Sequence, residues 1–170
     1  DRDEAVLGSL TEIGSGGQNG VIEAANGLLL EDGKTLMGQG VVNAPSGEFE
    51  NQGFVQGNGT GIAFNHLVTG AGDFGGSVTF LGGTDFGNSP AEIGIDSATF
   101  GPTNTHVVEI GGLLPGREFD RVEATATLNL GGILEVRTIG LANGFTFQVG
   151  QSFEIMTFAA VTGDFANYAG

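Results

Sequence analysis

Apolar residues in this chain fall in short runs set between turn-forming pairs. The runs include Val21-Ile22, Leu28–Leu30, Val41-Val42, Phe54-Val55, Ile62–Phe64, Val78–Phe80, Ile93–Ile95, Val107–Ile110, Leu128–Leu130, Ile133–Val136 and Phe153–Ile155. Between them stand Asn19-Gly20, Asn26-Gly27, Asp32-Gly33, Asn58-Gly59 and Asn143-Gly144, pairs that tolerate positive φ and mark tight corners. Glycine interrupts almost every window, and an interior Gly costs a helix about 1 kcal/mol relative to Ala. Only Asp3–Leu10 and Phe158-Ala159-Ala160-Val161 leave a helix open, and both are short. Many short strands with frequent corners predict an all-β chain.

Two architectures compete for such a chain. Hairpin sheets and sandwiches want strands of about 5–6 residues, whereas up to Gly101 the corners here come too often for that. Very short strands suit a parallel β-helix, a β-solenoid whose strands pair with the coils above and below. In Gly47–Gly59 this reading turns Phe49 inward, Glu48 and Glu50 outward and, past a corner, Phe54 inward. From Thr99 the strands are expected to lengthen, as in Thr125–Leu130. The reading is one elongated all-β domain over 1–170. It has short-strand coils over 1–100 and longer-strand coils or an antiparallel cap over 101–170. A β-sandwich or jelly roll is the alternative. Phe49, Phe54, Phe64, Phe74, Phe80, Phe86, Phe100, Phe119, Phe145, Phe153 and Phe158 recur at coil-like intervals and are read as a core ladder. Each such ring contributes about 1.5–3 kcal/mol when buried.

Composition narrows the function. The 170 residues carry 20 Asp and Glu against 5 Lys and Arg, a formal net charge of -15, which argues against nucleic acid and anionic membranes as partners. Glycine numbers 33 without a G-X-Y period, so collagen is excluded. With no cysteine there is no disulfide, thiol nucleophile or Cys-ligated metal. No apolar run is long enough for a bilayer-spanning helix. The chain opens on Asp1 with no visible signal peptide, and is expected to be a processed piece of a longer precursor. An acidic, Lys-poor, Cys-free composition rich in Gly, Asn and Thr is common among bacterial secreted proteins, so the expected location is extracellular or at the cell surface.

Several blocks resemble a known family. They are Gly70-Ala71-Gly72-Asp73-Phe74-Gly75-Gly76-Ser77-Val78-Thr79-Phe80 followed by Gly87-Asn88-Ser89-Pro90-Ala91, and Val108-Glu109-Ile110-Gly111-Gly112 followed by Pro115–Val122. Leu130–Val136, Asn143-Gly144-Phe145, Val149–Ile155 and Gly163-Asp164-Phe165 continue the order. Together, over about Gly38 to Gly170, they are similar to the β-solenoid region of autotransporter-associated repeat proteins and PEP-CTERM-type exported bacterial surface proteins. Phe86 and Phe147 stand where that pattern usually has Pro, and Gln151 where it has Asp. The resemblance implies a β-solenoid, export and an extracellular setting, and it carries no catalytic residue.

The remaining motifs are weighed against plainer roles. Gly70–Gly75 matches GxGxxG as a string, but a strand-like segment follows where a dinucleotide site needs a helix. Asp85, Asn88 and Asp96 around the Gly82–Ser97 corners are candidate calcium ligands, as are Glu31 and Asp32, because hard cations take carboxylate and carbonyl oxygens. The plainer reading makes these carboxylates a solvated, self-repelling surface. Glu48 with Glu50, or Glu118, Asp120 and Glu123, could pair as in a glycosidase or lyase. Few cations or exposed aromatics stand ready for a polysaccharide. His66 and His106 read as corner or surface residues, although a triad of His106, Asp96 and Ser97 can be drawn. Asn58-Gly59-Thr60 fits a glycosylation sequon and reads as a turn.

The expected function is therefore non-enzymatic: an extracellular structural protein of a bacterial surface or matrix, assembling head-to-tail into a fibre through its solenoid ends. A calcium-dependent or glycan-binding adhesion module is the alternative, and a polysaccharide lyase a third.

Overall fold

The computed structural model describes residues 4–87, 90–140 and 144–170. Strand accounts for 57% of the described residues, among which no α-helix occurs, so the all-β expectation holds. In chain order the strands are β1 (Ala5–Val6), β2 (Leu10–Ile13), β3 (Gly20–Glu23), β4 (Leu28–Leu30), β5 (Thr35–Asn43), β6 (Phe49–Asn51), β7 (Phe54–Phe64), β8 (Val68–Gly70) and β9 (Asp73–Phe80). They continue with β10 (Gly83–Phe86), β11 (Glu92–Phe100), β12 (Thr105–Ile110), β13 (Arg121–Ala124), β14 (Thr127–Leu130), β15 (Ile133–Thr138), β16 (Met156–Thr157), β17 (Ala160–Gly163) and β18 (Asn167–Ala169).

The chain alternates between two parallel sheets. One has the order β1-β4-β6-β8-β10-β12-β15-β18, the other β16-β13-β11-β9-β7-β5-β2, with β3 on β5 and β14 on β11 and β17. Each strand therefore pairs with its counterpart one rung earlier and one rung later. Among the described residues every strand–strand pairing is parallel, and antiparallel geometry is confined to isolated bridges such as Ile110 with Phe119. A jelly roll needs antiparallel strands, and β13 to β18 form no antiparallel cap but continue the parallel stacking.

The larger sheet is interrupted along a seam where the pairing register shifts. Pairing of β5 with β7 shifts between Gly38 and Gly40, and that of β7 with β9 between Gly57 and Ile62. At the first rung the seam separates β2 from β3; at the last it separates β16 from β17. Three tracks of parallel pairing thus run the length of the stack. Glycine builds the seam: Gly38, Gly57 and Gly76 lie in register, and a Cβ on Gly57 would run into the Ser77 carbonyl of the next rung.

Inward residues form ladders. Leu28, Phe49, Val68, Thr84, His106 and Leu134 lie in register on one sheet; Phe64, Phe80 and Phe100 do so on the other. Phe49 stacks on Phe64 at 4.8 Å and Phe64 on Phe80 at 5.8 Å, while Phe74 meets Phe80 edge-on at 5.3 Å. Such offset and T-shaped pairs suit the ring quadrupole.

The structure also corrects several expectations. The longest strands, β5, β7, β9 and β11, lie before Gly101 rather than after it. The glycines inside β5, β7 and β9 mark the seam, not strand ends, and beyond them the chain runs through loops at 111–120 and 144–155. Phe153–Ile155 lies in the second loop instead of forming a strand. The two segments left open to helix carry β1 and β17, with Asp3 outside the described residues. Phe54 points outward, not inward, because it opens β7 one residue before the inward Val55. Phe158 too is exposed, and Phe165 joins the core in its place.

Candidate functional site

Two features stand out once the rungs are assembled: the ends of the stack, and a set of carboxylates that hold backbone N–H groups. At the first rung β1 pairs only with β4, and β2 and β3 only with β5. At the last, β16, β17 and β18 pair only with β13, β14 and β15. Among the described residues both ends leave three parallel strand edges unpaired. Val161 and Tyr168 continue the inward rows of Leu128 and Leu134, yet they are 40% and 66% exposed because no rung covers them. Tyr168 donates to Asp164 at 2.6 Å, which favours the neutral phenol and raises its pKa. At the opposite end Val6, Leu10 and Val21 are exposed.

The carboxylates work as staples where the ladder is interrupted. Asp96, at the seam, accepts from the Gly76 N–H at 2.8 Å and the Thr125 hydroxyl at 2.8 Å, bonds that hold its pKa below the usual value. Asp73 accepts from the Gly94 N–H at 2.8 Å. Asp120 closes the 111–120 loop by accepting from Ala91 N–H at 2.8 Å and Glu109 N–H at 2.7 Å. Burial pushes its pKa up to about 6 against those bonds, with the charges of Glu109 and Asp85 adding to the rise. Glu118 caps the same loop through Leu113 and Leu114 N–H.

His106 is a correction. It is not a surface residue but a member of the interior row, 2% exposed, ring to ring with Phe100 at 5.0 Å. Its Nδ1 lies 2.8 Å from the Thr84 hydroxyl, while Nε2 and the buried Asn104 amide have no hydrogen-bond partner. Desolvation lowers its pKa to about 3, so the ring is neutral. It stands inside the stack, on a strand of the other sheet from Asp96 and Ser97, whose side chains point outward at the seam, so no triad forms.

Asp85 lies on β10 with Arg137 at 3.3 Å, Asp96 lies on β11 in the other sheet, and Asn88 falls outside the described residues. Among the described residues no three His, Asp or Glu are grouped to hold a metal ion. Glu31 pairs with Lys34. Arg121 pairs with Glu123 and, at 2.9 Å, with Glu92. The Gly70–Gly75 string runs into β9, a strand. Asp73 and Asp120 act by accepting from N–H groups that tertiary pairing brings opposite them, a role that no local sequence motif encodes.

Compared with family models, with curated proteins and with solved structures, the chain has no match.

Proposed function

We propose that this chain is a three-track β-solenoid that serves as a structural element of a bacterial surface or matrix, and that copies associate head-to-tail. The observation carrying this reading is that both ends offer the same three parallel edges, in the same order. A second copy can set β18 against β1, β16 against β2 and β17 against β3 by the pairing already used inside the chain. Exposed strand edges are templates for such addition. A heterologous contact of this kind does not close, so it yields a fibre. The uncovered Val161 and Tyr168 would gain the cover that Leu128 and Leu134 already have. An extracellular setting is supported by the acidic, Cys-free composition.

A net charge of -15 opposes stacking, so salt should promote it. Light scattering and negative-stain microscopy over a concentration series are expected to show filaments that lengthen with salt. Val161→Lys and Tyr168→Lys together should abolish them while leaving the circular dichroism unchanged. A single monomeric species at every concentration, with and without salt, would reject the reading.

A further inference from the structure

Phe54 is an aromatic ring that the core does not use. It is 40% exposed on the outer face of β7, in register with Asp73 of the next rung. Its ring leans across Gly75, where an added Cβ would strike it, so glycine there keeps the ring lying along the face. Beside it opens a cleft of about 210 Å³ lined by Phe54, Asp73, Gly75, Gly94, Asp96 and Thr125, with Phe74 and Ile95 behind. The chemistry is mixed: an apolar ring, two carboxylates, a hydroxyl, and glycine backbone without side chains to obstruct approach.

From this we infer a binding subsite for one ring of a neutral sugar, with Phe54 as the stacking platform and Asp73 and Asp96 as acceptors for sugar hydroxyls. Three observations select that ligand. The volume is below the roughly 300–1,000 Å³ of drug-sized pockets and fits a single ring. Two carboxylates on a chain of net charge -15 repel phosphate, sulfate and uronic acids. Both carboxylates are already oriented, Asp73 by Gly94 N–H and Asp96 by Gly76 N–H and Thr125, and each keeps lone pairs for further donors. A preset acceptor beside an aromatic ring needs little ordering when a polyol arrives. The subsite lies on the flank of the stack and does not depend on head-to-tail association.

The test uses the whole chain, labelled with ¹⁵N, titrated with neutral gluco-oligosaccharides of β-1,3, β-1,4 and α-1,4 linkage, and separately with calcium. Sugar from this panel should shift the amides of Gly75, Gly76 and Gly94. Phe54→Ala, an outward position that the core does not need, should weaken binding by about tenfold or more. Gly75→Ala should do the same by displacing the ring. Asp73→Asn keeps an oxygen for Gly94 N–H but turns the other acceptor into a donor, so sugar binding should weaken, though less than with Phe54→Ala. Shifts from calcium alone, lost in Asp73→Asn, would overturn the inference in favour of a cation site. So would sugar binding indifferent to Phe54→Ala, or no shift with any sugar of the panel.

Discussion

His106 shows how one residue can set the acid limit of a fold. Its folded pKa, about 3, lies below the ordinary 6.5, so its contribution to stability is complete above 6.5 and is lost as pH falls toward 3. Asp120 has the opposite sign. Its folded pKa of about 6 exceeds the ordinary 3.8, so it favours the fold fully below 3.8 and less as pH rises through 6. Between pH 4 and 6 the two slopes oppose each other. Replacing His106 by Leu, the residue that follows it in the row, removes one of them. Urea melts of His106→Leu should then lose less stability than the parent on acidification from pH 6 to 4. The double variant with Thr84→Val should exceed the single in stability at pH 7, because it removes the buried hydroxyl that the single variant leaves without its partner.

Among the elements, the glycine seam lets neighbouring rungs approach where the register of the larger sheet shifts. Gly40 has φ 145°, and a Cβ there would meet the Gly20 carbonyl of the rung below. Gly40→Ala should therefore cost about 1–3 kcal/mol for a side chain in a conformation that only glycine ordinarily adopts, before any clash is counted. Gly33, also at positive φ but with open space around it, should cost less, and thermal melts of the two variants would rank them. The seam also marks where the sequence stopped being legible. Strand identity could be read from the apolar runs, and inward Phe49, Phe64 and Phe80 were correctly placed by their spacing. The glycines between runs looked like corners, because one-dimensional pattern does not distinguish a turn from a strand that must let its neighbour's backbone approach. Phe54 and Val55 illustrate the same limit: adjacent apolar residues in a strand face opposite ways, and a one-residue shift exchanges them. The staple carboxylates were less legible still. Asp96 could be named as a polar corner residue, but its partners Gly76 and Thr125 come from the rungs before and after it.

At the scale of the molecule, strand pairing joins each rung only to the one before and the one after. Nothing couples the first rung to the last, so cooperativity is passed from neighbour to neighbour as in a one-dimensional lattice. Loss of structure should begin as fraying at the extremes, where Val161 and Tyr168 are wet, and advance inward step by step. Native-state hydrogen exchange should show amides of β7 and β9 protected longest and those of β1 and β18 shortest, in a graded series instead of one common rate. A uniform rate across all rungs would contradict it. Pulled along the stack from one terminus, the same chain would come off one rung at a time, giving a repeating train of small force peaks instead of a single rupture.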